Sequence, residues 1–295
     1  MRVCVLSASL AVSLAHQLPP STAQPAAIAP ATLTVAVTAR AVQPGEVIRL
    51  DMTSGRPITA VTVRAFDNNI AAARVGGDWR ALVGIDLGVV AGPYLVTIDA
   101  TLDDGSQASH IETLTVEAKD FPTRELRVAP RFVNPPPSQL QRIERERRQL
   151  GELFRAIGPE PGWRGSFVRP IEVSVISGFG VRSIYNGEPR APHGGADFAS
   201  PTGTPVLAPG GGRVVLAEPL YFTGETVVID HGLGLVSLLA HLSRIDVRVG
   251  RDVVAGAQVG LVGATGRVTG PHLHWTVRLQ GARVDPLSVI AALQD

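Results

Sequence analysis

Two histidines, His272 and His274, stand two positions apart in the segment GPHLHW at residues 270–275. In an extended strand, side chains at i and i+2 point to the same side, so both imidazoles are expected to face one site. Leu273 and Trp275 would then face the opposite side. A half-buried strand can also carry two polar side chains toward water, and for the pair alone this simpler interpretation stays open.

A second chemical pair, His193 and Asp197, lies in the segment HGGADF. Residues four positions apart would lie on one face of a helix. Because Gly194 and Gly195 disfavour a helix, we instead expect a loop that enters a strand. The glycines would let the backbone approach a metal ion closely. Catalytic zinc takes three protein ligands and one water, and imidazole and carboxylate are suitable donors. One histidine of GPHLHW would complete the ligand set, and the residues alone leave open which one.

The other histidine of GPHLHW and His241, in the segment AHLS, are candidates for proton transfer or for stabilising an oxyanion. The chain has no HExxH segment, so no helical glutamate can serve as the base. Structural zinc sites usually close with four protein ligands, so three ligands beside two spare histidines favour catalysis. His231, in the segment DHGLG, is predicted to be a turn residue that bonds backbone groups.

The elements that must position these side chains are predicted to be mainly β-strands. The chain has 295 residues, enough for two domains, and its 31 glycines and 23 prolines are typical of short strands joined by turns. Residues 31–130 alternate in strand fashion and predict an N-terminal β-sandwich-like domain. Strands and glycine turns return over residues 165–290 and predict a C-terminal β-domain, which holds five of the seven histidines.

Residues 134–158 differ from both β-regions and predict a linker helix. Ser138 and Gln141 fit a capping box, and Gly158 is the expected stop. Arginines and glutamates alternate along the segment, which favours a solvated helix face over a nucleic-acid surface. We expect this helix to pack between the two domains.

The first 23 residues predict a secretory signal peptide. Arg2 supplies the positive end, residues 3–15 are apolar, and cleavage is expected after Ala15 or Ala23. The alternative is that the segment is not cleaved and remains as an N-terminal anchor. The apolar run is, however, too short to span a membrane as a helix. Cys4 is the only cysteine and lies in this segment, which leaves the mature chain without thiol chemistry. We therefore expect a periplasmic or secreted protein.

The charge balance argues against nucleic acid as a partner. The chain has 27 basic and 26 acidic residues, and loss of Arg2 with the signal would equalise the two counts. A neutral chain has no general field that attracts phosphates.

The ordered segments HGGAD, AHLS and GATGRVTGPHLHW resemble lysostaphin/LytM-type zinc metalloendopeptidases, which cut peptidoglycan cross-bridges or stem peptides. SGFGVR, GTPVLAP, DHGLG and VDP extend the resemblance over residues 165–290 and imply that they form a C-terminal antiparallel β metallopeptidase domain. A tyrosine often found two residues before the AHLS histidine is replaced here by Leu239, which affects only substrate contact. The resemblance implies the following roles: Zn²⁺ ligands His193, Asp197 and His274, and catalytic histidines His241 and His272.

Two functions follow from this resemblance. The first is a zinc-dependent endopeptidase that acts on a peptidoglycan peptide. The alternative is a non-catalytic cell-wall-binding regulator that activates a separate amidase, as do some relatives that have lost their metal ligands. The presence of all five polar side chains favours the enzyme. The N-terminal domain is either a spacer or a cover over the groove, and if it is a cover, removing residues up to about 160 should raise hydrolysis.

Overall fold

The protein is mainly β, as the sequence predicts, and it has two helices among the residues that the structure describes. This computed structural model describes residues 32–127, 134–158 and 160–294. The expected signal peptide and both cleavage points lie outside the described residues. Within those three ranges, no helix combines the length and the apolar character needed to cross a membrane.

The first eight strands form two four-stranded sheets that share one apolar core. These strands are β1 (Leu33–Thr38), β2 (Val47–Ser54), β3 (Ile58–Ala65), β4 (Asn68–Ile70), β5 (Ala72–Val75), β6 (Asp78–Gly84), β7 (Gly92–Leu102) and β8 (Gln107–Val116). One sheet has the order β1-β2-β6-β5 and the other has β4-β3-β7-β8. Alternate side chains of each sheet, such as Leu50 and Ile98, are fully buried in the shared core.

A small three-stranded sheet connects this region with the C-terminal half. Its strands are β9 (Thr123–Leu126), β11 (Arg182–Tyr185) and β12 (Glu188–Pro189), in the order β12-β11-β9. Strand β9 runs parallel to β11. The chain just before the linker therefore lies beside the C-terminal half.

The C-terminal half is built on one ten-stranded sheet, in which every described pairing is antiparallel. Its strands are β10 (Val175–Ser177), β13 (Gly195–Ala199), β14 (Pro205–Leu207), β15 (Gly212–Leu220), β16 (Gly224–Asp230), β17 (Leu235–Ile245), β18 (Asp252–Val253), β19 (Gln258–Val262), β20 (His272–Leu279) and β21 (Ala282–Val284). The main order is β10-β13-β20-β17-β16-β15-β18. Phe198, Leu239 and Trp275 are fully buried in its core.

The two predicted domains share part of one core. Val47 and Leu82 belong to the same buried cluster as Val284 of the C-terminal sheet. Across the same boundary, Asp86 accepts hydrogen bonds from the Arg283 guanidinium at 2.6 and 3.0 Å. Removing residues up to about 160 would expose this core, so point substitutions are a better test of a cover than truncation. The exact domain limits stay a prediction.

The linker helix α1 spans Pro137–Arg155, inside the predicted residues 134–158. Its N-cap is Pro136 and no side chain caps it, so the capping box predicted from Ser138 is wrong. A proline at the start of a helix has its φ preset and lacks the N–H that a cap would satisfy, which explains why no box is needed. The helix also ends before the expected stop at Gly158.

Helix α1 packs on one face of the C-terminal sheet, which differs from the expected position between two domains. Its side chains Leu150, Leu153 and Phe154 cover an apolar cluster on β15, β16 and β17. The Glu146 carboxylate also accepts a hydrogen bond from the backbone N–H of Tyr221 at 2.8 Å. The second helix, α2 (Pro286–Ala292), is short and is capped by Asp285.

Candidate metal and catalytic site

Strands β13 and β20 lie side by side and bring the two chemical segments together. Asp197 of β13 stands directly opposite His274 of β20, and Ala199 stands opposite His272. Residues opposite each other in an antiparallel pair face the same side of the sheet. Leu273 and Trp275, the alternate residues of β20, are fully buried on the other side. The two histidines of GPHLHW therefore face one site, as their spacing predicts.

His193 lies in the loop just before β13, as expected from its glycine-rich segment. Its backbone N–H donates to the Val181 carbonyl and its own carbonyl accepts from the Gly180 N–H, both at 2.8 Å. The structure gives a different reason for a glycine at position 195 from the expected approach of the backbone to a metal ion. A Cβ at Gly195 would clash with the carbonyl oxygen of Trp275, so this glycine permits close contact between β13 and β20 rather than approach to a metal.

Three side chains converge at this point. Asp197 Oδ1 lies 3.1 Å from His193 Nε2 and 2.8 Å from His274 Nδ1. The two facing ring nitrogens are 3.0 Å apart. All three side chains are less than one-fifth exposed. Each of them offers one ligand atom, and these atoms all lie within 4.8 Å of one another.

The hydrogen bonds around these rings indicate which atoms are free to bind a metal. His193 Nδ1 lies 2.9 Å from the Gly178 carbonyl, to which it can only donate a hydrogen bond. His274 Nε2 lies 2.8 Å from the Thr276 hydroxyl. With those atoms protonated, His193 Nε2 and His274 Nδ1 present lone pairs to each other and to Asp197.

Three lone-pair atoms this close need a proton or a cation between them. Burial opposes the ionisation of Asp197, but contact with His193 and His274 outweighs it and holds the pKa of this carboxyl well below its usual range. Burial lowers the pKa of His274 more than its contact with Asp197 raises it. An ionised carboxylate and two neutral imidazoles, without a thiol, are a donor set that suits zinc. The residues present thus fit a three-ligand zinc site.

His241 and His272 lie beside this cluster, with ring centroids 4.8 Å apart. His241 Nδ1 is bonded to the Thr265 carbonyl and His272 Nδ1 to the Gly270 carbonyl, each at 2.9 Å. These bonds leave Nε2 of each ring as the proton-accepting atom, and Nε2 of His272 is 3.8 Å from Asp197 Oδ1. Each ring therefore stands beside the cluster with one nitrogen that is not engaged by these backbone carbonyls.

The backbone at His241 is unusual. Its φ is +65°, in the left-handed region that a residue with a side chain rarely adopts. Such a conformation costs of order 1–3 kcal/mol and is typical of functional sites. Burial, with added repulsion from His274 and His272, lowers the pKa of His241 to about 3, which keeps the ring neutral at ordinary pH.

The sequence analysis missed two residues that contact the cluster. Thr276 bonds His274, and strand periodicity could have found it because it follows the His-x-His pair on the same face. Arg124 of β9 approaches the cluster from the N-terminal half, with Nη2 3.9 Å from Asp197 Oδ2. No local pattern indicates this contact, because it depends on the parallel pairing of β9 with β11.

His231 lies away from the cluster and bonds backbone, as predicted, but it is fully buried. Its Nδ1 donates to the Gly211 carbonyl at 2.7 Å, and its Nε2 accepts from the Ser237 hydroxyl at 2.9 Å. The indole N–H of Trp275 in turn donates to the Ser237 oxygen at 3.1 Å. This chain of hydrogen bonds supports β20 from behind the site.

The segment that carries this site resembles known proteins. Residues 191–286 match the sequence profile of peptidase family M23. The peptidoglycan DD-endopeptidase ShyA of Vibrio cholerae serotype O1 is 43% identical over 114 residues, which are 38% of this chain and 26% of ShyA. The DD-carboxypeptidase/endopeptidase Mpg of Neisseria meningitidis serogroup B is 43% identical over 97 residues, 33% of this chain and 22% of Mpg. The matches thus span about a quarter of these relatives.

A solved structure covers far more of the chain. It is the crystal structure of a Pseudomonas aeruginosa protein described as a peptidase M23, with 34% sequence identity and a TM-score of 0.65. The similarity covers 85% of this chain and 96% of that one. The likeness therefore extends beyond the segment that carries the five polar side chains.

Proposed function

Because the chain belongs to peptidase family M23, we propose that it is a zinc-dependent endopeptidase that hydrolyses peptide bonds in peptidoglycan. The observation that carries this proposal is the convergence of His193, Asp197 and His274 on one point beside two further histidines. We infer that the substrates are the cross-linked peptides and stem peptides of peptidoglycan, because relatives of this chain are named as DD-endopeptidases.

In this proposal, His193 Nε2, Asp197 Oδ1 and His274 Nδ1 hold the metal. Zinc, when bound, supplies a Lewis acid that lowers the pKa of a water and polarises the scissile carbonyl. His272 and His241 act through Nε2: one ring accepts the proton of the attacking water, and the other, once it carries a proton at Nε2, donates a hydrogen bond to the developing oxyanion. The carbonyls of Gly270 and Thr265 fix these two rings in the required tautomer.

The alternative, a regulator that activates a separate amidase, gives no use for the preserved constellation. A regulator needs a binding surface, whereas here three side chains bring ligand atoms within 4.8 Å of one another and two further histidines stand beside them. We infer a periplasmic or extracellular site of action, since that is where peptidoglycan lies. The predicted signal peptide is consistent with this location.

The test is digestion of purified peptidoglycan by the zinc-loaded protein, with fragments identified by mass. New amino termini are expected, and a chelator should abolish them. His272→Ala should retain zinc and lose about 10²–10⁴-fold in rate, the usual effect of removing a general acid or base. Asp197→Asn should lose both zinc and activity. Intact peptidoglycan after treatment with zinc-loaded wild type, or cleavage between sugars, would refute the proposal.

A further inference from the structure

Arg278 is a charged side chain of β20 that the proposed mechanism does not use. It lies four residues after His274, so strand periodicity places it on the same face as His274 and Thr276. Its guanidinium stacks on Phe154 of α1, with Cζ 5.2 Å from the ring centroid. His274, Thr276 and Arg278 therefore form one row of side chains along β20, which runs from a proposed metal ligand to a guanidinium beside helix α1.

No side chain or carbonyl in the described part of the chain accepts a hydrogen bond from this guanidinium, and its Nη1 atom is buried. The neighbouring carboxylate, Asp86, is already engaged by Arg283. Burial, followed by repulsion from Arg283, lowers the pKa of Arg278 to about 10, so the group is still charged at neutral pH. A largely buried cation without a paired carboxylate is costly, and an anion that reaches the neighbouring Nη2 atom would offset the cost of burying the charge.

The guanidinium of Arg278 reaches the backbone beside a proposed metal ligand. A Cβ built on Gly194 would lie 3.8 Å from Nη2 of Arg278 and, apart from its chain neighbours, would contact no other atom within 4 Å. Gly194 follows His193 directly, so Nη2 lies next to the segment that carries this ligand. The backbone of Arg278 is about 13 Å along the strand from that of His274. An extended peptide covers that span in about three or four residues.

We propose that Arg278 binds a free carboxylate of the peptide substrate and so selects peptides that carry one a few residues from the scissile bond. The carboxylate would accept a charge-assisted hydrogen bond from Nη2, the guanidinium nitrogen that faces Gly194, and a neutral amide cannot reproduce the charge of that contact. This inference rests on the proposed endopeptidase function and adds a substrate class to it. A merely structural role for Arg278, as a support for Phe154, would affect all peptides equally.

The experiment compares two forms of one substrate. Cross-linked peptide fragments purified from peptidoglycan are used either with free carboxylates or after conversion of the carboxylates to amides with carbodiimide and ammonia. The wild type should show a kcat/KM about 10- to 100-fold higher for the free form, the range expected for a charged hydrogen-bond pair. Arg278→Gln should bring that ratio close to one. Arg278→Lys, which keeps the charge but not the fork, should give an intermediate ratio.

The matched control is Arg155→Gln, which removes the same charge from an exposed position of α1 and should keep the wild-type ratio. Binding of both peptides to the metal-free proteins, measured by calorimetry, gives the same comparison without hydrolysis. An Arg278→Gln protein that retains the wild-type ratio, or a wild type with a ratio near one, overturns the assignment of Arg278. Absence of hydrolysis with an Arg278-dependent binding ratio would instead overturn the endopeptidase function alone.

Discussion

Thr276→Val tests whether the outer hydrogen bond of a metal ligand sets metal affinity. His274 Nε2 lies 2.8 Å from the Thr276 hydroxyl, which accepts a hydrogen bond from it when Nδ1 binds a metal, and both side chains are largely buried. Valine has nearly the same shape as threonine but cannot accept this bond. The substitution therefore leaves the ligand atoms in place and removes only the partner that holds the ring and its tautomer.

The expected magnitude follows from how the bond changes when a metal binds. A neutral hydrogen bond contributes about 1 kcal/mol net, and one to a charged group about 1.5–3 kcal/mol. Binding a cation at Nδ1 makes the ring a more acidic donor, so the bond to Thr276 gains about 1–2 kcal/mol in the metal-bound protein. Loss of that gain corresponds to a Kd for zinc about 5- to 30-fold higher.

The assay is competition for zinc against a chromophoric chelator at fixed pH and ionic strength. Thr226→Val is the matched control, because Thr226 is also buried but its hydroxyl bonds the Gly224 carbonyl and no proposed metal ligand. That variant should bind zinc as the wild type does. A Thr276→Val protein that is folded and has a Kd within twofold of the wild type would refute the reasoning.

Two further predictions concern charge and pH. Arg124→Gln removes a cation 3.9 Å from the Asp197 carboxylate and should tighten zinc binding by up to about fivefold. The limit follows because an ion pair with a partly exposed arginine is worth at most about 1 kcal/mol. An unchanged or weaker affinity would contradict this prediction, and would also argue against Arg124 as the residue through which the N-terminal domain covers the site. Burial lowers the pKa of His231 to about 4 from an ordinary 6.5, so the unfolded state binds the extra proton and stability falls as the pH drops through that window. The free energy of unfolding measured in urea should fall by about 2 kcal/mol between pH 7 and pH 5 because of this group. In His231→Gln, the free energy of unfolding should lack that part of the dependence on pH. A variant with the full wild-type pH dependence would show that other groups cause it.

The chemistry of the site could be predicted from the sequence because it depends on residue types at short spacings. Strand periodicity alone places His272 and His274 on one face, and the structure has them there, with Trp275 buried behind. The mainly β fold follows from the same alternation, repeated between glycine and proline turns. Local spacing is sufficient in these cases because each feature lies within one strand and its adjoining turn.

The sequence did not predict features that arise from contacts between distant segments. The capping box expected at Ser138 does not form, because the preceding prolines already start the helix. The approach of Arg124 to Asp197 depends on the parallel pairing of two strands from opposite halves of the chain.

Sequence alone thus determined which side chains were candidates to bind a metal, since that depends on chemical type, but it left open which histidine of GPHLHW does so. Only the tertiary structure decided that His193 Nε2, Asp197 Oδ1 and His274 Nδ1 meet, because β13 must pair with β20 in one register for them to do so. Only the tertiary structure also shows that the Nη1 atom of Arg278 is buried without a hydrogen-bond acceptor among the described residues. Burial of a side chain depends on the whole fold and cannot be read from one segment.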